Sequence, residues 1–137
     1  MRLDGKTIIV TGSGTGIGKA IAKLCIDEGA NVVISDKDEK LAAETVEELG
    51  KEKTITHVRD LTDEGCPTEL IALAKERSGR IDGLVNNAAF VTWSDIESTK
   101  PDYFKKVLDV NLVTPLALIQ AALPELKRNK GSVVNIG

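Results

Sequence analysis

Apolar residues are distributed along this chain in two alternating rhythms. Short continuous runs, several of them rich in β-branched residues, alternate with longer segments where apolar residues recur at helical spacing. The runs are Lys6–Val10, Asn31–Ser35, Thr54–Val58, Ile81–Val85 and Gly131–Ile136. The first two are apolar on both faces, as strands of a parallel sheet covered by helices must be. The first helical segment begins near Ile17, places Ile17, Ala20, Ile21, Leu24 and Cys25 on one side, and closes at Gly29. The second carries Leu41, Ala42, Val46 and Leu49, with Glu44, Glu47, Glu48 and Lys51 on its solvated side, and ends at Gly50. A third runs from Pro67 through Leu70, Ile71, Leu73 and Ala74 to Gly79. A polar loop, Thr92–Lys100, leads to a fourth, with Thr99 as cap and Pro101 at the first position. That helix continues to Asn129, with bends expected at Pro115 and Pro124.

Strand and helix alternate without linker or internal repeat. The expectation is a single α/β domain over residues 1–137, a three-layer doubly wound parallel sheet of five strands in the order 3-2-1-4-5. One segment raises a question of cover. From Leu108 to Leu126 the helix is apolar nearly all round, and such a helix must be buried on every side.

Composition removes several classes of function. Aromatic residues are only 3% of the chain, so its core is aliphatic. The net charge is −3 and the densest basic group, Lys127, Arg128 and Lys130, sits where a helix ends, which leaves nucleic-acid binding without support. Met1–Val10 is too short and too charged for a signal peptide, and no uninterrupted apolar run approaches a membrane span. Cys25 and Cys66 lie in no metal or redox spacing, so a reducing, cytoplasmic setting is expected. His57, the one histidine, lies in a strand with nothing nearby in sequence to orient it as a base, and reads as structural.

The chemistry gathers at Thr11-Gly12-Ser13-Gly14-Thr15-Gly16-Ile17-Gly18. A buried strand, a glycine-rich turn and a helix N-terminus in that order make a phosphate cradle. Glycine lets the ligand approach with no Cβ in the way, and the unpaired first-turn N–H groups face the anion. The spacing fits neither G-x-G-x-x-G nor a P-loop, since Lys19 is followed by Ala20. It fits T-G-x-x-x-G-x-G.

On that turn, together with Asp60 after the third strand, Asn86-Asn87-Ala88, and Asn111 within Asp109-Val110-Asn111-Leu112, the chain resembles the short-chain dehydrogenase/reductase family over its whole length. The resemblance implies a Rossmann-like fold and a dinucleotide partner held by Gly12, Thr15, Gly16, Ile17 and Gly18. It also implies that Asp60 and Leu61 border the adenine, and that Asn87 and Ala88 line the ribose and nicotinamide side. Asn111 matches the family's helix Asn, which supports a proton relay, and Ala89 stands where the family motif has Gly. Asp36 ends the second strand, where a carboxylate accepts from both hydroxyls of an adenosine ribose and repels a 2′-phosphate. With Thr at position 15 this favours NAD over NADP, although Lys37 beside it tolerates the phosphate in part. No metal is implied.

The family's reaction also needs a Ser and a Tyr-x-x-x-Lys beyond the fifth strand. The only Tyr of these 137 residues is Tyr103, followed at the fourth position by Val107, so the resemblance is to a dehydrogenase truncated after the fifth strand. Three readings stay open: an NAD(H)-binding half without hydride transfer of its own, an oxidoreductase of alcohols and ketones completed by a partner, and a self-associating remnant that binds no nucleotide. A homodimer or larger assembly is expected through the 102–129 helix, the 132–136 edge strand, or both.

Overall fold

Thr7–Thr11 forms β1, and all five of its residues are buried. A computed structural model describes residues 1–137. The strands are β1, β2 (Asn31–Asp36), β3 (Thr54–Val58), β4 (Gly83–Asn86) and β5 (Ser132–Asn135). They form one five-stranded sheet in the order β3-β2-β1-β4-β5. Every pairing is parallel, with Ile9 beside both Val33 and Leu84. The helices are α1 (Gly16–Asp27), α2 (Glu39–Leu49), α3 (Cys66–Ser78), α4 (Pro101–Leu108) and α5 (Thr114–Asn129). Alternate side chains of the strands feed two cores. Ile9, Val33 and Leu84 pack with Leu70 of α3 and Leu118, Ala122 and Leu126 of α5. Ile8, Val10, Val32, Ile34 and Val85 pack with Ala22 of α1 and Ala42 of α2. The three-layer doubly wound sheet expected from the alternation is the fold.

Three expectations change. On α1 Ile21 and Cys25 pack on the core as expected, but the fully buried residues are Gly18 and Ala22, while Ile17 and Leu24 are each 65% exposed and Ala20 is exposed as well. At Gly18 the lack of a side chain lets this helix come down close to the glycine turn. The irregularity in the long helix falls before Pro115, as a π turn over Asp109–Val113 in which the Thr114 N–H donates to the Asp109 carbonyl. Pro115 has no N–H to return to the preceding turn, and π turns of this kind interrupt otherwise regular helices. The helix runs on through Pro124. Lys100, not Thr99, occupies its cap position, because the Thr99 hydroxyl is turned back onto the Asp95 carbonyl.

The long helix is not covered all round. Leu118, Ala122 and Leu126 face the sheet, but Leu112 is 65% and Leu116 56% exposed. Joined through the π turn, Pro101–Asn129 is 29 residues, long and apolar enough by length and composition to cross a membrane. The reading of uninterrupted runs missed this, because scattered polar residues break every run without lowering the average much. Glu125 of this helix is buried with Lys75 of α3 (2.9 Å) and Arg128 (3.0 Å) beside it.

His57 is 3% exposed. Its Nδ1 lies 3.1 Å from the Ser35 Oγ, and its Nε2 lies 3.6 Å from the Glu69 carboxylate and 3.9 Å from the Cys66 Sγ. Burial pushes its pKa below the ordinary 6.5; the Glu69 carboxylate opposes that shift and Arg59 adds to it. The folded pKa is the lower one, so the unfolded chain binds the proton first as pH falls. The stability this group supports is present above the unfolded pKa and is lost as pH falls through the folded one. Carboxylates titrate well below this window. The unfolding free energy from urea titration should therefore decline in the wild type as pH falls through the ordinary imidazole range near 6.5, and much less in His57→Gln. Identical slopes would remove His57 from the account.

Candidate functional site

β1 delivers Thr11 to the C-terminal edge of the sheet, and the chain turns at Gly12 (φ +63°) and Gly16 (φ +56°). Both angles lie in the left-handed region that favours glycine. The turn is held by side chains from distant segments. The Ser13 N–H donates to the Ser35 carbonyl (3.2 Å), and the Ser35 N–H donates to the Ser13 hydroxyl (3.0 Å). The Ser13 hydroxyl donates to the Val10 carbonyl (2.7 Å). Thr45, buried on α2, donates to the Gly14 carbonyl (2.9 Å). Thr15 caps α1 with extended backbone and no side-chain bond, and the first turn of the helix holds no acidic residue. The first-turn N–H groups at Gly16, Ile17 and Gly18 thus keep their affinity for an anion.

Three glycines of the turn have no room for a Cβ. At Gly14 it would stand 2.8 Å from the Asp36 Oδ2, and at Gly12 2.9 Å from the Ala88 Cα. At Gly18 it would overlap the Gly12 carbonyl oxygen outright.

Asp36 is ordered by its neighbours. Its Oδ2 accepts from the Gly14 N–H (2.9 Å) and its Oδ1 from the Asp38 N–H (3.0 Å). A carboxylate has about four acceptor positions, so room remains for further donors. At the end of β4 the Thr11 hydroxyl accepts from the N–H groups of Asn87 and Ala88 (3.0 Å each), and the Asn87 Nδ2 donates to the carbonyls of Thr11 (3.0 Å) and Gly12 (3.2 Å). The two loops at the centre of the sheet are thereby fastened to each other. After β3, the Asp60 Oδ1 accepts from the Thr62 N–H (3.0 Å) and hydroxyl (2.7 Å), and these bonds hold its carboxyl below the usual range.

These loops enclose a cavity of 330 Å³ at the C-terminal edge of the sheet. Gly12, Thr15, Asp36 and Asp60 line it, and so do Leu61, Asn87 and Ala88. Gly16, Ile17 and Gly18 follow Thr15 in the chain and do not themselves line it. Ala89 is in the wall, so the methyl that replaces the family Gly sits at the cavity.

Asn111 lies in the π turn. Its Oδ1 accepts from the Phe90 N–H and its Nδ2 donates to the Phe90 carbonyl, both at 2.8 Å. Both ends of the amide are thus committed to the loop after β4, and what the side chain does here is hold Phe90 in place. Sequence reasoning passed over Thr45, Ser13, Ser35, Phe90 and Lys106. Thr45 carried one usable signal, a hydroxyl on the otherwise apolar face of α2. For Phe90 and Lys106 no local pattern exists.

A glycine turn, a carboxylate at the end of β2 and a cavity at the centre of a doubly wound sheet define a mononucleotide- or dinucleotide-binding protein. Residues 6–137 match the model of the short chain dehydrogenase family, and the chain belongs to that family. It is 38% identical over 136 residues to the L-fucose dehydrogenase of Rattus norvegicus, covering 98% of this chain and 50% of that one. It is 34% identical over 137 residues to an uncharacterised oxidoreductase of Thermotoga maritima, covering 98% of this chain and 53% of that one. Among solved structures, a short-chain dehydrogenase/reductase of unknown function from Caenorhabditis elegans, solved with cofactor, superposes with a TM-score of 0.90 at 32% identity, over 98% of this chain and 53% of that one. A short-chain dehydrogenase/reductase described as glucose/ribitol dehydrogenase from Brucella melitensis gives 0.93 at 31%, over 98% and 57%. The chain spans about half the length of the curated relatives it matches.

Proposed function

We propose that this chain binds NAD(H) as half of a short-chain dehydrogenase and does not transfer hydride by itself. The observation that carries this reading is Asp36, poised by Gly14 and Asp38 in the wall of a cavity that opens onto the glycine turn. The residues fit the group, because the first turn of α1 carries no side-chain cap and no acidic residue, and Asp36 keeps acceptor positions free in the cavity wall. The N–H groups at Gly16, Ile17 and Gly18 hold the pyrophosphate, with Thr15 at the edge of the turn. Asp36 accepts from the adenosine ribose hydroxyls and repels a 2′-phosphate, so NADP binds more weakly. Asp60 and Leu61 border the adenine, Asn87 and Ala88 border the ribose toward the nicotinamide, and Asn111 keeps the β4 loop in register. The nicotinamide supplies hydride chemistry when bound, but no Ser and Tyr-x-x-x-Lys set within these 137 residues would move the accompanying proton.

Calorimetric titration with NADH tests the binding, and saturable one-to-one heat is expected. A folded protein that gives no heat would leave the third reading, a remnant without nucleotide. Purified chain with NAD and a panel of alcohols should produce no NADH absorbance, and turnover would overturn the second half of the proposal.

The second reading, activity completed by a partner, is favoured by the open surfaces of α5 and β5. Leu112, Val113 and Leu116 lie on the bare helix face, and Val134 and Ile136 lie along a sheet edge with no neighbour beyond it. Contiguous exposed apolar surface and an unpaired edge favour association. At micromolar concentration, light scattering should give a dimer or larger species. Leu116→Glu should shift it toward monomer while leaving the melting temperature within a few degrees. A monodisperse wild-type monomer would rule out self-association through these surfaces.

A further inference from the structure

A buried histidine is joined to the glycine turn through one intervening residue. The His57 Nδ1 lies 3.1 Å from the Ser35 hydroxyl oxygen. The backbone of Ser35 is clamped to Ser13 in the turn. Its N–H donates to the Ser13 hydroxyl (3.0 Å), and its carbonyl accepts from the Ser13 N–H (3.2 Å). The Ser13 hydroxyl passes its own hydrogen to the Val10 carbonyl (2.7 Å). Ser13 and Ser35 are fully buried and His57 nearly so, which leaves solvent no part in these bonds.

The groups around the ring decide where its hydrogens sit. β3 is an edge strand, so β2 is its only strand neighbour. From α3 come the Glu69 carboxylate (3.6 Å) and the Cys66 thiol (3.9 Å), both at Nε2. From the segment after β3 comes Arg59, which pairs with Glu69 and with Asp63. From β2 comes the neutral Ser35 hydroxyl. An ionised carboxylate only accepts, so the neutral ring carries its hydrogen on Nε2 and leaves Nδ1 as an acceptor. Ser35 is then the donor to Nδ1. Protonation places a second hydrogen on Nδ1, and the Ser35 hydroxyl must turn and accept instead. Its own hydrogen is left without a partner, because the bond to His57 is the only one this hydroxyl makes. A buried donor with no acceptor is costly. Ser35 relieves that cost by shifting, and its backbone carries Ser13 with it.

We infer that protonation of His57 is linked to dinucleotide binding: the neutral ring holds the glycine turn in its binding form through Ser35 and Ser13, and the imidazolium loosens it. The inference rests on the dinucleotide reading above. His57 and Ser35 are positioning residues for the turn. Linkage is reciprocal, so bound nucleotide drives the proton off His57 and acid weakens binding. Burial already holds the His57 pKa below the ordinary 6.5, with Glu69 opposing and Arg59 assisting, so the effect falls on the acid side of that value.

The test is calorimetric titration with NAD, which survives mild acid, of the wild type, His57→Gln and Ser35→Ala. It runs from mildly alkaline pH to the acid side of 6.5, with circular dichroism confirming the fold at each step. Wild-type affinity should fall by about tenfold across that span. In the acid range binding should release protons, read as heat that differs between buffers of unlike ionisation enthalpy. Both signals should vanish in His57→Gln, whose side-chain oxygen can accept from Ser35 at every pH. In Ser35→Ala the affinity should lose its pH dependence, while the pH dependence of unfolding in urea persists. An affinity of the folded wild type that does not change with pH overturns the linkage. An affinity slope in Ser35→Ala equal to that of the wild type shows that the imidazolium acts by charge alone, and overturns the inference equally. If the wild type binds NAD at no pH, the dinucleotide reading itself fails, and the linkage falls with it.

Discussion

A Gly18→Ala variant will lose nucleotide binding and melt well below the wild type. A methyl at this position overlaps the Gly12 carbonyl oxygen and stands 2.6 Å from the Asn87 Nδ2 and 2.9 Å from the Gly12 carbonyl carbon. Two of these neighbours are backbone. The third, the Asn87 amide, already bonds the Thr11 and Gly12 carbonyls, so it cannot move without breaking them. Forcing a methyl into such a site costs about 2–3 kcal/mol, or roughly 10 °C in melting temperature for a domain of this size. Relief by lifting α1 away from the turn would displace the first-turn N–H groups proposed to hold the pyrophosphate. Gly16→Ala is the informative comparison. Gly16 has positive φ but nothing within 4 Å of a built Cβ. Its penalty is backbone strain alone, about 1–2 kcal/mol. Thermal melts and NADH titrations of both variants decide the matter, and equal effects from the two would show that close approach of α1 is not what Gly18 provides.

Asp36→Ala should erase the preference for NADH over NADPH. The carboxylate contributes two opposing terms at the ribose, hydrogen-bond acceptance from hydroxyls and repulsion of a 2′-phosphate. Losing charge-assisted bonds of this kind costs about 1.5–3 kcal/mol, or roughly 10- to 100-fold in NADH affinity. NADPH should gain at the same time, with Lys37 in the cavity wall available to the phosphate. The variant also strips the Gly14 N–H of its partner, which loosens the turn. Asp36→Asn separates the two effects, because the amide still accepts from Gly14 but no longer repels a phosphate. A cofactor ratio in Asp36→Ala equal to that of the wild type would show that the residue only braces the turn.

The strand order was legible because parallel strands buried on both faces leave continuous apolar runs, and because glycines mark helix ends locally. The face of α1 was misjudged for a related reason. Periodicity finds where the large apolar residues lie and placed Ile21 and Cys25 on the core, but the most deeply buried positions are the small Gly18 and Ala22. Ile17 and Leu24 carry the stronger hydrophobic signal and stay exposed. The π turn was hidden as well. Two prolines pointed to bends at themselves, whereas the widened turn precedes Pro115 and brings Asn111 against Phe90.

The sequence by itself determined the alternation of elements, the glycine-rich turn, the carboxylate at the end of β2 and the family. All of these are written in residues close together along the chain, as periodicity or as short spaced motifs. Only the tertiary structure decided what the turn rests on and what faces it. Thr45 reaches Gly14 from α2, Ser35 reaches Ser13 from β2, and Lys106 meets Phe90 from α4, the helix after its loop. Such contacts arise when the sheet brings the C-terminal ends of its strands to one edge. They depend on distances of a few ångströms between segments far apart in sequence, and no local pattern records them.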